Sequence, residues 1–318
     1  MVNRKNKILI MLGIISVILI LLFVFIGVND RNFNYFMSRR IPKIAAIVLT
    51  GVAIAVSSTI FQTVTNNRIL TPSALGLDSL YLLVQTLIVF LFSSSNIFVV
   101  NKNANFILSV MLMLLFSGLL FKFIFSKENY NIIMLLLIGM VFGTLFQSIS
   151  SFMQMVLDPN EFLLVQDRMF ASFDKVNTKI LYLSSIVLVI IITYVYRKSN
   201  ILDVVSLGKE QAINLGINHR KVMKTILFFV SILVSLATAL VGPITFLGIL
   251  SVNLSREILK TYEHKYLLVG SGLIAVIALV GGQLLVERIL NFSTPISVII
   301  NFIGGIYFIY LLLKENLA

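Results

Sequence analysis

Residues that could carry out chemistry are sparse in this chain, and they do not cluster. The two histidines, His219 and His264, stand far apart in sequence, in separate polar connections. Four carboxylates share one polar connection, at Asp158, Glu161, Asp167 and Asp174. Paired carboxylates can act as general acid and base, but with no histidine beside them a solvated or docking face is the better interpretation. We therefore predict no catalytic residue, no metal ligand and no cofactor.

Other classes of function also lack their usual residues. The sequence contains no G-x-x-x-x-G-K-[ST] loop, so we expect the chain not to bind ATP by itself. An ion-coupled secondary transporter usually needs a carboxylate within a membrane span, and only Asp78 and Glu287 lie near one, both toward its ends. An integral membrane enzyme would need a nucleophile with its base, or a metal cluster. The secondary transporter stays open as an alternative, and the enzyme is less favoured.

The composition predicts an all-α polytopic membrane protein. Of the 318 residues, 58% are hydrophobic and 12% are charged, with a mean hydropathy of +1.02. Too few polar side chains remain to cover a water-soluble core. Continuous apolar runs without alternation favour helices over a barrel, and we treat residues 1–318 as a single transmembrane domain. About ten spans are predicted, at residues 8–28, 44–64, 73–92, 104–125, 132–156, 180–196, 222–241, 244–259, 267–286 and 296–313.

Lys and Arg residues indicate which connections face the cytoplasm. If the number of spans is even and the N-terminus is inside, most of the 25 Lys and Arg residues lie in inner segments. That topology places residues 202–224 in the cytoplasm. The first connection disagrees, because it is predicted to be outside and yet holds Arg31, Arg39, Arg40 and Lys43. We find no basic segment interleaved with aromatic residues, and we predict no nucleic-acid partner.

Residues 202–224 are the longest mixed polar segment between two apolar runs. Leu207, Ala212 and Leu215 could share the apolar side of a short helix, and Gly216 suits the left-handed residue that ends one. Asn218 can cap the helix that follows. The pattern predicts a helix-turn-helix on the membrane surface, which is either an ordinary basic connection or a docking element.

Two apolar runs carry small and polar residues at helical spacing. The second run places on one face Gly51, Ala55, Ser58 and Gln62. The fifth run places on one face Gly139, Gly143, Gln147, Ser151 and Gln154. Small residues let helices approach closely, and polar side chains bond across helices. Packing is favoured for the small residues of the second run, whereas packing and a polar pathway wall are both open for the amides.

Three motifs resemble the iron-siderophore and cobalamin permeases of ABC importers, the FecCD-like family. Residues 207–218, L-G-K-E-Q-A-I-N-L-G-I-N, are similar to the coupling loop of that family. Residues 39–77 resemble its second helix and the proline-containing loop that follows. A third motif matches at Gly242, Pro243, Phe246, Gly248 and Arg256. Val252 and Asn253 stand where Pro-His is usual, which resembles the branch whose two permease subunits are different proteins.

The resemblance implies a permease subunit in a bacterial cytoplasmic membrane that takes up an iron-siderophore complex while a separate protein hydrolyses ATP. Its implied partners are a second permease subunit, ABC ATPase subunits, an extracytoplasmic siderophore-binding protein and the lipid bilayer. No motif names the siderophore. Family positions assign ATPase coupling to Leu207, Gly208, Glu210, Ala212, Leu215 and Gly216. They assign binding-protein docking to Arg39, Arg40, Lys43 and Arg288. They assign the translocation pathway to Ser58, Gln62, Gln147, Ser151 and Gln154.

Overall fold

The computed structural model describes residues 4–29, 33–92, 101–126, 132–174 and 176–316, and every regular element within them is helical. The helices are α1 (Arg4–Phe25), α2 (Phe33–Thr65), α3 (Leu77–Phe92), α4 (Lys102–Phe125), α5 (Ile132–Val156), α6 (Pro159–Met169), α7 (Thr178–Arg197), α8 (Ser199–Val205), α9 (Lys209–Asn214), α10 (His219–Val241), α11 (Leu247–Leu259), α12 (His264–Arg288) and α13 (Ile296–Asn316), with a short 3-10 helix η1 (Pro72–Leu75) before α3. Arg31 lies outside the described residues.

Each of the ten predicted spans coincides with a helix, but two of these helices are short. Among the described residues, eight helices are long and apolar enough to cross a membrane. The other two are α3, with 16 residues, and α11, with 13. At 1.5 Å per residue they reach only about 24 Å and 20 Å, less than the hydrocarbon thickness of about 30 Å. The third run is shortened because η1 ends in the left-handed residue Gly76, with φ of +76°.

The eighth run is short because the chain is non-helical between α10 and α11. Gly242 caps α10 with φ of +104°. Proline suits the first turn of a helix, but Pro243 lies in the break, because helix α11 begins only at Leu247. Downstream, the Asn253 amide donates to the carbonyl of Arg68 (3.0 Å), so this unusual residue holds α11 against the loop that follows α2.

Helices α2, α10 and α12 form the centre of the protein. Within their most apolar windows 67%, 61% and 61% of residues are buried, compared with 17% in α1 and 22% in both α5 and α13. Small residues explain the close packing, as predicted for the second run. A Cβ on Gly51 of α2 would lie 3.1 Å from Leu279 Cδ1 of α12, and Ala55 is fully buried.

Contacts between distant segments join helix ends that the charge pattern predicts to lie on the same side of the membrane. Lys5, in the N-terminal segment predicted to be inside, pairs with Glu263 in another inner connection. Arg288, predicted to be outside, donates to the carbonyl of Ile26 in the first outer connection (2.9 Å). The N-terminal end of α1 therefore lies on the side that holds residues 202–224.

Candidate functional site

Residues 202–224, the coupling segment, fold as the predicted helix-turn-helix. Helix α9 follows α8 across Gly208, whose φ is +105°. Gly216 has φ of +82°, which confirms the left-handed turn. The Asn218 side chain accepts a hydrogen bond from the Lys221 amide at 3.0 Å, which confirms the cap of α10. Two left-handed glycines thus bracket a six-residue helix and set its direction.

The apolar residues of the coupling segment do not share one buried side. Ala212 is fully buried, but Leu207 and Leu215 are 58% and 62% exposed. The expectation that they lie beside Ala212 is wrong, because α9 is only one and a half turns long and both leucines lie beyond its ends. Ile213, which the sequence analysis did not select, is also half exposed, and Glu210 is exposed. The result is a small apolar surface projecting from the basic end of the bundle.

A chain of hydrogen bonds, half-buried at Asp203 and buried at His264 and Thr63, joins the coupling segment to the central helices. Asp203 of α8 accepts from the His264 backbone amide (2.8 Å), and its same oxygen bonds His264 Nδ1 (2.6 Å). His264 Nε2 bonds the hydroxyl of Thr63 in α2 (2.7 Å), and the histidine is 3% exposed. This chain could not be predicted from the sequence, because nothing local to Asp203 or Thr63 indicates a partner so far away in the chain.

The four basic residues predicted to form an outer rim surround one cleft of about 740 Å³. Arg40 does not contribute an exposed charge. It is 9% exposed, and its Nη1 donates to the carbonyls of Val24 (2.6 Å) and Ile26 (2.8 Å). A helix end that is left without partners exposes such carbonyls. Arg40 therefore pairs with the free carbonyls at the end of α1. This corrects the prediction that Arg40 contributes an exposed charge to a docking rim.

Lys43 is also engaged within the chain, whereas Arg39 and Arg288 are exposed. Lys43 pairs with Asp174 and, at 2.7 Å, with Glu287. The exposed basic residues of this rim are therefore Arg39 and Arg288, of which Arg288 also donates to the carbonyl of Ile26. Lys43, Asp174 and Glu287 line the same cleft.

The stripe on α5 divides into a packed part and an exposed part. Gly139 and Gly143 are buried, and a Cβ on Gly139 would lie 2.7 Å from the Ala74 carbonyl oxygen of η1. Gln147 is exposed and Ser151 is half-buried. The two glycines are thus packing residues, and only the later part of the stripe reaches the surface.

Two further hydroxyls extend this exposed polar face of α5, because Thr144 and Ser148 are also exposed. Gln154 departs from the prediction, since its amide donates to Ser150 (2.9 Å) and to Thr86 of α3 (3.2 Å). It therefore joins helices of the same chain. The exposed face of α5 that is available to a partner or a pathway is therefore polar, whereas most of the helix is apolar.

Ser58 and Gln62 of α2 lie inside the protein, each 1% exposed. Neither amide atom of Gln62 has a hydrogen-bond partner among the described residues. Ser58 faces Gly248 of α11, where an added Cβ would lie 2.1 Å from the serine oxygen. This structure places neither side chain on an open surface, and their part in a pathway stays a prediction.

The carboxylates that could serve ion coupling are occupied within the chain. Asp78 accepts from the hydroxyls of Ser73 (2.7 Å) and Thr238 (3.1 Å), which ties η1 and α3 to α10. Glu287 pairs with Lys43 and accepts from Gln283 (3.0 Å). These bonds give both residues a structural role.

A polar network on α3, α4 and α6 also escaped the sequence analysis, because Gln85 stands alone in an apolar run. Its amide donates to Ser109 (2.8 Å), and its oxygen accepts from Arg168 of α6. Burial lowers the pKa of Arg168, whereas nearby Tyr81 and Asp167 raise it. Arginine is not deprotonated in proteins, so a fixed positive charge lies beside Gln85 of α3.

Known proteins resemble this chain over nearly its whole length. The FecCD transport family matches residues 6–314. The petrobactin import system permease protein YclO of Bacillus subtilis is 60% identical over 99% of each chain, and FatC of Bacillus anthracis is 32% identical over 92% of this chain and 82% of its own. A second petrobactin import permease of Bacillus subtilis, YclN, is 25% identical. A solved inward-facing metal-chelate type ABC transporter has the same fold, with a TM-score of 0.85, 22% identity and coverage of 98% and 100%.

Proposed function

The chain belongs to the FecCD transport family, and from that premise we propose that it carries a ferric siderophore of the petrobactin type into the cell. It is a multi-pass membrane permease subunit of an ABC importer, and ATP hydrolysis falls to a separate protein. The 60% identity to a petrobactin import permease over nearly the whole chain is the observation that carries the choice of substrate. We infer that residues 1–318 act as one permease domain in the cytoplasmic membrane.

Reconstitution tests this function. The chain is assembled in proteoliposomes with a second permease, an ATPase and a binding protein, and uptake of radioactive iron is measured with petrobactin or a hydroxamate siderophore as the chelator. We expect ATP-dependent uptake with petrobactin and little with the hydroxamate. Uptake that follows an ion gradient without ATP would favour the secondary transporter, and an assembled complex that moves no iron chelate would contradict the proposal.

A second permease subunit is the first partner we propose. Bacillus subtilis has two different proteins named petrobactin import permeases, YclO and YclN, which supports a pair of unlike subunits. Helices α5 and α13 leave most of their surfaces uncovered, and α13 exposes large apolar side chains such as Phe302 and Ile306. We infer that the partner covers these two helices, so that the polar face of α5 meets the pathway between subunits.

Cysteine substitution tests whether Gln147 faces that pathway. The native chain has no cysteine, so any labelling reports the introduced thiol. In the assembled transporter, Gln147→Cys should react with a small hydrophilic thiol reagent faster than Leu145→Cys. Leu145 is 47% exposed and lies about 160° around the same helix from Gln147, away from the polar face. Equal reaction rates at positions 147 and 145 would mean that the stripe only packs helices.

The coupling segment is the surface we propose for the ATPase. Leu207, Ile213 and Leu215 present exposed apolar groups beyond the spans, and apolar patches of this kind are typical of protein interfaces. Gly208, Glu210 and Ala212 shape or border this surface. The turns at Gly208 and Gly216 fix its direction, because both have positive φ.

Gly216→Val should weaken ATPase docking while the spans stay folded. A β-branched residue at positive φ is strained by about 1–2 kcal/mol, and no atom lies within 4 Å of the added Cβ, so the effect is confined to the turn. The measurements are co-purification of the ATPase and iron uptake in the same preparation. Gly118→Val on α4, a helical glycine with open space around it, is the control. Wild-type docking and uptake by Gly216→Val would contradict the assignment.

We propose Arg39 and Arg288 as the exposed contacts for an acidic face of the binding protein. Reversing both charges should weaken docking in a salt-dependent manner, because exposed charge pairs are screened by ions. Each exposed pair contributes only about 0–1 kcal/mol, so the double variant Arg39→Glu, Arg288→Glu is needed. Binding-protein affinity is measured at low and high salt, with exposed Lys179→Glu as control. Unchanged affinity at low salt would remove these residues from the interface.

A further inference from the structure

An apolar groove of about 510 Å³ lies between α1, α2, α7 and α12. It has the size of a small-molecule site, and its walls include Val17, Val52, Val269 and Gly272. The hydroxyl of Ser16, one of few polar groups in it, donates to the carbonyl of Leu12 within its own helix (2.9 Å). On α12 the lining residues run over two turns, about 12 Å along the helix axis. The groove is therefore a long apolar slot.

Glycines give the slot its depth. No atom lies within 4 Å of a Cβ built on Gly13, and a Cβ on Gly272 would meet only the two methyl groups of Val52, at 3.7 Å. Neither glycine has the backbone conformation that requires glycine, since both lie within helices with ordinary φ. Larger side chains would thus fill the groove without forcing the helices apart.

Positive charge lies at one end of the groove. Lys265 precedes Val269 by one turn, so the two share a face of α12, and Lys265 is exposed. On α7, the groove-lining Tyr196 is followed by the exposed Arg197. Across the described residues neither cation forms an ion pair, while the nearby Glu263 is neutralised by Lys5. The charge pattern puts this end in the cytoplasm.

Every wall of the groove belongs to a helix able to cross the membrane, and α1 is only 17% buried. The groove therefore opens toward lipid, and its exposed cations complement an anionic headgroup. We propose that it holds one acyl chain of an anionic phospholipid whose phosphate contacts Lys265 and Arg197. This binding site goes beyond the proposed transport function and depends only on the membrane location of the chain.

Photolabelling in lipid nanodiscs tests the site. The assembled transporter receives phosphatidylglycerol or phosphatidylcholine carrying a diazirine in the acyl chain, and labelled peptides are mapped by mass spectrometry. Peptides of α1 and α12 that line the groove should be labelled about fivefold more by the anionic probe for each cation that reaches the headgroup. Lys265→Gln should lower the preference for the anionic probe by about fivefold. Lys179→Gln, at the other end of α7, should leave that preference unchanged.

A matched pair of glycine variants tests the groove itself. Gly13→Leu should abolish groove labelling, whereas Gly118→Leu on α4, where an added Cβ also meets nothing within 4 Å, should leave it intact. Equal labelling by the two headgroups would overturn the anionic site. Labelling that survives Gly13→Leu would overturn the groove as its location, and labelling seen in the isolated chain but lost in the assembled transporter would assign the groove to a protein partner instead.

Discussion

Gly139→Val should sharply reduce the yield and melting temperature of the folded protein, the largest effect on stability that we expect from any single substitution. A Cβ at Gly139 would lie 2.7 Å from the Ala74 carbonyl oxygen and 2.9 Å from the Leu75 Cα. These are backbone atoms of η1, which cannot rotate away as a side chain can. Overpacking costs about 1–3 kcal/mol, and occasionally more, even where side chains can adjust.

The contact is reciprocal, which strengthens this expectation. Gly76 has φ of +76°, and a Cβ there would lie 2.8 Å from the Gly139 carbonyl oxygen. Gly118→Val is the matched control, because it makes the same change within α4 where nothing lies within 4 Å. The measurement is thermal unfolding of both variants in the same detergent. Equal melting temperatures would mean that η1 and α5 separate at little cost.

Asp203→Ala should uncouple ATP hydrolysis from iron uptake while the transporter still assembles. The substitution removes the acceptor that holds the backbone amide and Nδ1 of His264, and so breaks the chain from α8 to Thr63 of α2. A coupling free energy of about 1–3 kcal/mol corresponds to about 5- to 150-fold. We expect the amount of iron transported per ATP hydrolysed to decrease by a factor within that range.

A conservative variant separates coupling from simple damage. A single carboxylate oxygen accepts both bonds from His264, and Asp203→Asn keeps an oxygen acceptor, so it should restore much of the transport ratio. Asp158→Ala is the control, because Asp158 is exposed and makes no side-chain cap on α6. Assembly, ATP turnover and uptake are measured in one preparation. Asp203→Ala with a wild-type ratio of uptake to hydrolysis would show that this chain of hydrogen bonds only supports the fold.

The sequence by itself determined the class of protein and the features that depend on near neighbours. Hydropathy placed a helix at each predicted span, with bounds within a few residues except at the start of α2, because burial of an apolar run in lipid does not depend on its partner. The turn at Gly216 and the cap at Asn218 were predictable for a related reason: backbone sterics and the unpaired amides at a helix start are local. Family motifs added the transport function.

Tertiary structure decided which side chains are free to act. Arg40 and Arg39 are adjacent in sequence, yet one is bound to the end of α1 and the other is exposed. Gln62 and Gln147 occupy similar stripes, yet only Gln147 reaches the surface. The Asp203 to His264 bond joins residues from separate helices. Such outcomes depend on how each helix is rotated against its neighbours, and that rotation is set by packing summed over the whole bundle and by no single segment.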